Sequence, residues 1–188
     1  MSIKAIVHKL ELQISNLDQQ YYQTHKLTLA QHPSETEQRM MVRALAFALH
    51  ADEALSFGRG LSSEDEPDLW RRDLTGAIEL WIDVGQPDES RIRRACGRAR
   101  KVVIYTYSGH GAQIWWDKNR AALTRNKNLE VINLPGPACQ NLAAMAARTM
   151  SLQCIIQEQE IRLMDATTMV EITPVTWLSS PGSYSPGS

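Results

Sequence analysis

The chain has 188 residues, 43% hydrophobic and 22% charged, which at this length is enough apolar material for one domain with its own core. Lysine and arginine number 20 against 21 aspartates and glutamates, so bulk charge points to neither nucleic acid nor a membrane, and any such claim falls to local patches. The chain opens with no basic stretch leading into an apolar one, and no apolar run approaches the roughly 20 residues that span a bilayer. Cys96, Cys139 and Cys154 stand apart without CxxC spacing, and the five histidines form no HxxxH pair. That pattern argues against disulfides and zinc and fits a soluble protein of the reducing cytoplasm.

Residues 3–14 alternate, with Ile6, Leu10, Leu12 and Ile14 on one face, and a second run follows over 21–30 after a polar turn. This predicts an N-terminal β-hairpin. A helix is expected over 35–50, opened by Ser34 and Glu37 at capping-box spacing. From Met40 onward it is apolar on every side except at Arg43, so it should be sandwiched between other elements. Gly58, Gly60 and the acidic run at 62–66 mark a surface loop, and a strand begins near Pro67, Asp68, Leu69 and Trp70. In the β-prone run 77–84, Glu79, Trp81 and Asp83 share one face and Leu80, Ile82 and Val84 the other. Pro87 then opens a helix in which Ile92, Ala95, Cys96 and Ala99 form a narrow packing stripe, while Arg91, Arg93, Arg94, Arg98 and Arg100 line the remaining surface.

Residues 101–107 read as a strand buried on both faces, as expected where a crossover helix has led to a parallel neighbour. A helix containing Trp115 and Trp116 follows; adjacent residues cannot point the same way, so one is expected in the core and the other at the surface or an interface. Next come a strand over 129–134, a breaker at 135–137, an alanine-rich helix over 138–149, and strands over 152–157, 160–164 and 169–178. The reading is one α/β domain over residues 1–178 with a Ser/Pro/Gly tail at 179–188 that is expected to be mobile or loosely draped.

Several stretches closely resemble the YaeQ family of Gram-negative bacteria, over nearly the whole chain: His32-Pro33-Ser34-Glu35-Thr36, Arg39-Met40-Met41-Val42-Arg43, Pro67-Asp68-Leu69-Trp70, Trp81-Ile82-Asp83-Val84-Gly85-Gln86-Pro87, Arg94-Ala95-Cys96-Gly97-Arg98-Ala99 and Val103-Ile104-Tyr105-Thr106-Tyr107. The resemblance implies a mixed β-sheet flanked by helices, a variant of the PD-(D/E)XK nuclease-like core with an N-terminal β-hairpin and extra C-terminal strands. It brings no reaction with it. In that superfamily frame Asp68 looks like the first acid and Asp83 like the second, while Gly85 stands where a lysine is expected. Such nucleases hold Mg2+ or Mn2+ on the two carboxylates and use the lysine to orient the attacking water and stabilise charge on the phosphate. Glycine does neither, so the full motif is broken unless an arginine of the next helix, Arg91, Arg94 or Arg98, reaches the strand end as a phosphate clamp, or the site binds a metal or phosphate without cutting.

Two functions are then expected. One is a degenerate module that binds nucleic acid or a protein partner; the other is a metal-dependent nuclease with Asp68 and Asp83 as catalytic metal ligands and Gln86 as a neighbouring polar contact. Arg91, Arg94 and Arg98 share a helix face at i, i+3 and i+7 and are candidate nucleic-acid contacts, with Tyr105, Tyr107, Trp115 and Trp116 as stacking platforms. Plainer roles stand beside these. Asp68 suits a turn and Asp83 a helix cap, and the arginines suit a solvated helix face near its C-terminus; Glu35 and Glu37 resemble the helix acid that some nucleases of that superfamily add to the metal site, but helix capping and an i, i+4 pair of Glu35 with Arg39 account for them without chemistry.

Overall fold

The computed structural model describes residues 4–181, so residues 182–188 of the expected tail lie outside the described part. Strands β1 (Ile6–Asn16) and β2 (Tyr21–Gln31) pair antiparallel from Ile6 opposite Gln31 to Asn16 opposite Tyr21, the hairpin that alternation demands. Leu10, Leu12 and Ile14 are buried on its inner face, whereas Ile6 on the same face stays exposed.

Helix α1 (Glu37–Leu49) starts later than the capping-box spacing suggests. Thr36, in extended conformation, is the cap and its Oγ1 accepts from the Arg39 N–H at 3.1 Å; Ser34 instead meets His32 Nδ1 at 2.7 Å. Every residue from Met40 to Ala48 is buried, Arg43 included, as the sandwiched reading requires.

The middle of the chain runs β3 (Leu55–Phe57), β4 (Leu69–Arg72), β5 (Ile78–Val84), α2 (Glu89–Arg98), β6 (Ala99–Thr106), α3 (His110–Leu123), β7 (Leu129–Asn133) and α4 (Gly136–Ala143). The C-terminal part supplies β8 (Thr149–Gln157), β9 (Glu160–Met164), β10 (Met169–Ile172) and β11 (Val175–Leu178). Where one mixed sheet was expected there are two. One has five strands in the order β10-β9-β8-β1-β2, the other six in the order β11-β7-β6-β5-β4-β3, and each combines parallel and antiparallel pairs.

Five boundaries differ from the sequence reading. Helix α2 begins after Asp88 rather than at Pro87. It ends at Arg98, so Ala99 and Arg100 belong to β6. Helix α4 begins inside the supposed breaker, because a proline in the first turn lacks only an N–H that has no helical partner there, and it ends at Ala143. The run 169–178 divides at Thr173 and Pro174, since proline cannot donate to a ladder; β10 pairs with β9 and β11 crosses to pair with β7 in the other sheet.

Packing follows from these faces. Leu10, Leu12 and Leu29 of the five-stranded sheet, α1, Leu142 of α4, and Leu80, Ile82 and Val84 of β5 form one core, so α1 and α4 lie between the sheets. The other face of the six-stranded sheet carries Trp81, Val102, Ile104 and Val131 and is covered by α2 and α3 through Ile92, Ala95, Trp115, Trp116 and Leu123. Each fully buried large side chain in these cores contributes about 1.5–3 kcal/mol. Both tryptophans of α3 are buried, which corrects the expectation that one faces outward: Trp115 Nε1 donates to Pro87 O at 3.0 Å and Trp116 stacks on Trp177 of β11 at 5.7 Å. The three cysteines are free thiols, and burial pushes Cys139 and Cys154 up to about 12. Among the described residues no helix is long and apolar enough to cross a membrane.

Candidate functional site

Leu69 of β4 lies opposite Ile82 of β5, so the next position in each direction brings Asp68 beside Asp83. Both are 2% exposed, and the Asp68 N–H donates to Asp83 Oδ1 at 3.3 Å. The loop before them closes tightly, because the N–H groups of Gly58 and Gly60 donate to Asp68 O and Pro67 O. Gly60 has φ +48° and a Cβ there would collide with Asp68 Oδ1, so this position requires glycine for both conformation and space.

Each carboxylate is held by an arginine from a different layer. Arg39 of α1 places Nη2 at 2.8 Å from both oxygens of Asp68, and the Val84 N–H reaches Asp68 Oδ2 at 2.8 Å. Arg91 of α2 grips Asp83 in a bidentate fork, Nε to Oδ2 at 2.9 Å and Nη2 to Oδ1 at 3.2 Å, and Trp81 Nε1 adds a bond to Oδ2 at 3.1 Å. Behind Arg39 lies Glu35, which accepts from Arg39 Nη1 at 2.6 Å and from Arg43 at 2.9 and 2.5 Å. Three carboxylates and three arginines thus run in a line from α1 to α2 along the end of the β4–β5 pair. Burial disfavours the Arg39 charge, but Asp68 and Glu35 more than offset it and hold the guanidinium above its ordinary value. Burial pushes the Asp68 carboxyl up; Arg39 pulls it back, and the Asp83 charge adds to the upward shift that prevails.

Asp68, Asp83, Arg39 and Arg91 open onto a cavity of about 610 Å³, with Gln86 and Tyr107 on its wall. Gln86 does not reach the acids: its Nε2 donates to Ser108 Oγ at 2.6 Å in an exposed position. Gly85 has φ +105° with nothing within 4 Å of a Cβ, so the position of the expected lysine is roomy but in the left-handed region.

Of the candidate nucleic-acid residues, Arg91 turns inward, whereas Arg94 and Arg98 are exposed; Arg98 Nη1 bonds Asp65 O at 2.9 Å. Arg91 also bonds the carbonyls of Ser63, Glu64 and Glu66 and so ties the acidic loop to α2. The stacking platform is not formed, since Tyr105, Trp115 and Trp116 are core residues. Asp83 does not cap α2, whose cap is Asp88. Glu35 does pair with Arg39, but from outside the helix.

Chemically, all four oxygens of Asp68 and Asp83 accept N–H donors. An ion between them would compete with Arg39 and Arg91 for the same lone pairs, and among the described residues no cluster of three His, Cys, Asp or Glu is placed to hold one. The pair as arranged therefore does not fit a divalent cation. Arg39 as the partner of Asp68 was the missed part of the site. Its signal was present: Glu35, Arg39 and Arg43 recur every four residues, and Arg43 is the one charge in the apolar stretch from Met40 to Leu49.

The YaeQ protein family model matches residues 1–174. Two relatives named "Uncharacterized protein YaeQ", from Escherichia coli (strain K12) and Salmonella typhi, are 42% and 43% identical, each over 94% of this chain and 98% of the relative. The crystal structure of the YaeQ protein from Xanthomonas axonopodis pv. citri is similar with a TM-score of 0.90 at 52% identity, covering 94% of this chain and 99% of that one. That of the YaeQ protein from Pseudomonas syringae has a TM-score of 0.90 at 34% identity, covering 94% and 97%. On this match the chain belongs to the YaeQ family.

Proposed function

We propose that this protein is a non-catalytic nucleic-acid-binding module built on a PD-(D/E)XK-like core. The order α1, antiparallel β4 and β5, crossover α2 and parallel β6 resembles the superfamily frame, with Asp68 and Asp83 at its acidic positions. The observation that carries the non-catalytic reading is the pairing of the two carboxylates with Arg39 and Arg91, every one of their four oxygens accepting at least one N–H donor. Hydrolysis by a metal needs free carboxylate lone pairs and a cation beside the scissile phosphate. Here the lone pairs are engaged and the lysine position is Gly85. The acid pair instead fastens α1 and α2 to opposite faces of one sheet and so holds the scaffold on which a binding face is displayed.

The test is incubation with single- and double-stranded DNA and RNA in Mg2+ or Mn2+, beside Asp68→Asn and Asp83→Asn. The expected result is no cleavage above the level of the two variants. Metal-dependent cleavage in the wild type that both substitutions abolish would overturn the reading in favour of a metal-dependent nuclease.

A further inference from the structure

The near-zero net charge conceals a strong division. Residues 91–127 contain ten of the 20 lysines and arginines and one of the 21 acids, Asp117. This segment is α2 from its third residue onward, β6, α3 and the loop after it; the acid of α2 that precedes it, Glu89, pairs with Arg93, and α2 and α3 pack together over one face of the six-stranded sheet. Arg94, Lys118, Arg120, Arg125 and Lys127 are exposed and pair with no acid among the described residues. The loop carrying Arg125 and Lys127 is fastened to the end of α2, because Asn128 Nδ2 donates to Cys96 O at 2.9 Å and Ala99 O at 3.0 Å. The unpaired charges therefore sit on one rigid layer.

The geometry points to a duplex nucleic acid, held by its phosphates on the outer surface of α2 and α3, as the ligand of this layer; this rests on the binding-module reading above and gives it a location. The cavity beside Asp68 is a poor phosphate site, since its wall carries four acids, Glu64, Asp68, Asp83 and Asp88, against two arginines that are already paired. The α2–α3 layer has the opposite balance. Single strands are held by bases stacked on exposed aromatics, and the aromatic rings of this layer, Trp115 and Trp116, are buried. Lipid surfaces need apolar anchors among the basic groups, and Ile114 is the one large exposed apolar side chain described on the two helices. Phosphate contact to a duplex requires neither. Helix α3 has 14 residues. At 1.5 Å per residue that is about 21 Å, the reach of about six phosphates along one strand.

Binding is read by fluorescence anisotropy of labelled duplex DNA and duplex RNA at several salt concentrations. Five phosphate contacts give a slope of log affinity on log salt of about −4.5, a loss of about 500-fold between about 50 and 200 mM. The triple variant Lys118→Gln, Arg125→Gln, Lys127→Gln should bring the slope to about −1.8. The triple variant Lys9→Gln, Lys26→Gln, Arg162→Gln removes as much charge from exposed positions on the five-stranded sheet and should leave it unchanged. If the first triple variant melts early, Lys118→Gln and Lys127→Gln singly should each lower the slope by about 0.9. Salt-sensitive binding that both triples reduce equally, or tighter binding to single strands or anionic vesicles, would overturn the α2–α3 assignment while leaving a binding module standing. No binding at low salt would overturn both. Cleavage of the duplex on added Mg2+, with the slope change intact, would sink the non-catalytic reading and leave the surface in place.

Discussion

Arg91 grips Asp83 through Nε and Nη2, at 2.9 and 3.2 Å, with 3% of the acid's side chain exposed. Asp83 ends a central strand and Arg91 lies in the first turn of the crossover helix, so the pair sets how α2 enters the layer over Trp81. Asp68 mirrors it through Arg39 toward the opposite face. Removing one member of a buried pair leaves the other charge without its counterion, at a cost of about 3–5 kcal/mol. Arg91→Met should lose about that much stability in urea unfolding and free the loop carbonyls of Ser63, Glu64 and Glu66. Stability within 1 kcal/mol of wild type, on the order of a surface ion pair, would show that the fork is not structural.

Glu35 is the hub for two arginines, with its side chain 2% exposed. Glu35→Gln keeps the shape and removes the charge, leaving Arg39 and Arg43 short of one neutralising partner. The expected loss is again about 3 kcal/mol, and Arg39→Gln in the same background should cost less than it does alone, because the two side chains act in one network. A double-mutant cycle measures this; strict additivity would contradict it.

His50 Nε2 lies 2.6 Å from the Tyr105 hydroxyl, and burial, with Lys101 and Arg71 nearby, lowers the ring to about 3 from its ordinary 6.5. The folded ring stays neutral while the unfolded one takes a proton below about pH 6.5. Its contribution is thus full above pH 6.5 and is lost as pH falls from there toward 3, at up to about 1.4 kcal/mol per pH unit. Urea midpoints across that window should fall less steeply in His50→Gln than in wild type. Identical slopes would show that His50 is accessible to protons in the fold.

Gly85 holds φ +105° with open space around it. Placing a lysine there by Gly85→Lys should cost about 1–3 kcal/mol of backbone strain, with about 2–4 °C lost from Tm for each kcal/mol, and should add no cleavage. Melting and a nuclease assay on the same preparation check both. Cleavage by the variant would mean that the acids were arranged for hydrolysis after all.

The hairpin, the sandwiched α1 and the doubly buried β6 were legible because each has a periodicity that one burial pattern satisfies. The faces of β5 were legible for the same reason. What was hidden depended on partners far away in the chain. Arg91 looks like another surface arginine of α2, and only the register of β4 on β5 brings Asp83 within its reach. The split of 169–178 between two sheets has a local signal, Pro174, but its destination beside β7 is a tertiary choice. The two acids were found from the family resemblance. Arg39 had a periodic signal, with Glu35 and Arg43, whose meaning lay in the fold.

The central claim, that Arg39 and Arg91 occupy the carboxylates a metal would need, is tested most directly by calorimetric titration of the wild type with Mn2+, beside Asp83→Asn. The account predicts heats equal to dilution for both proteins. A saturable isotherm in the wild type that Asp83→Asn abolishes would contradict it.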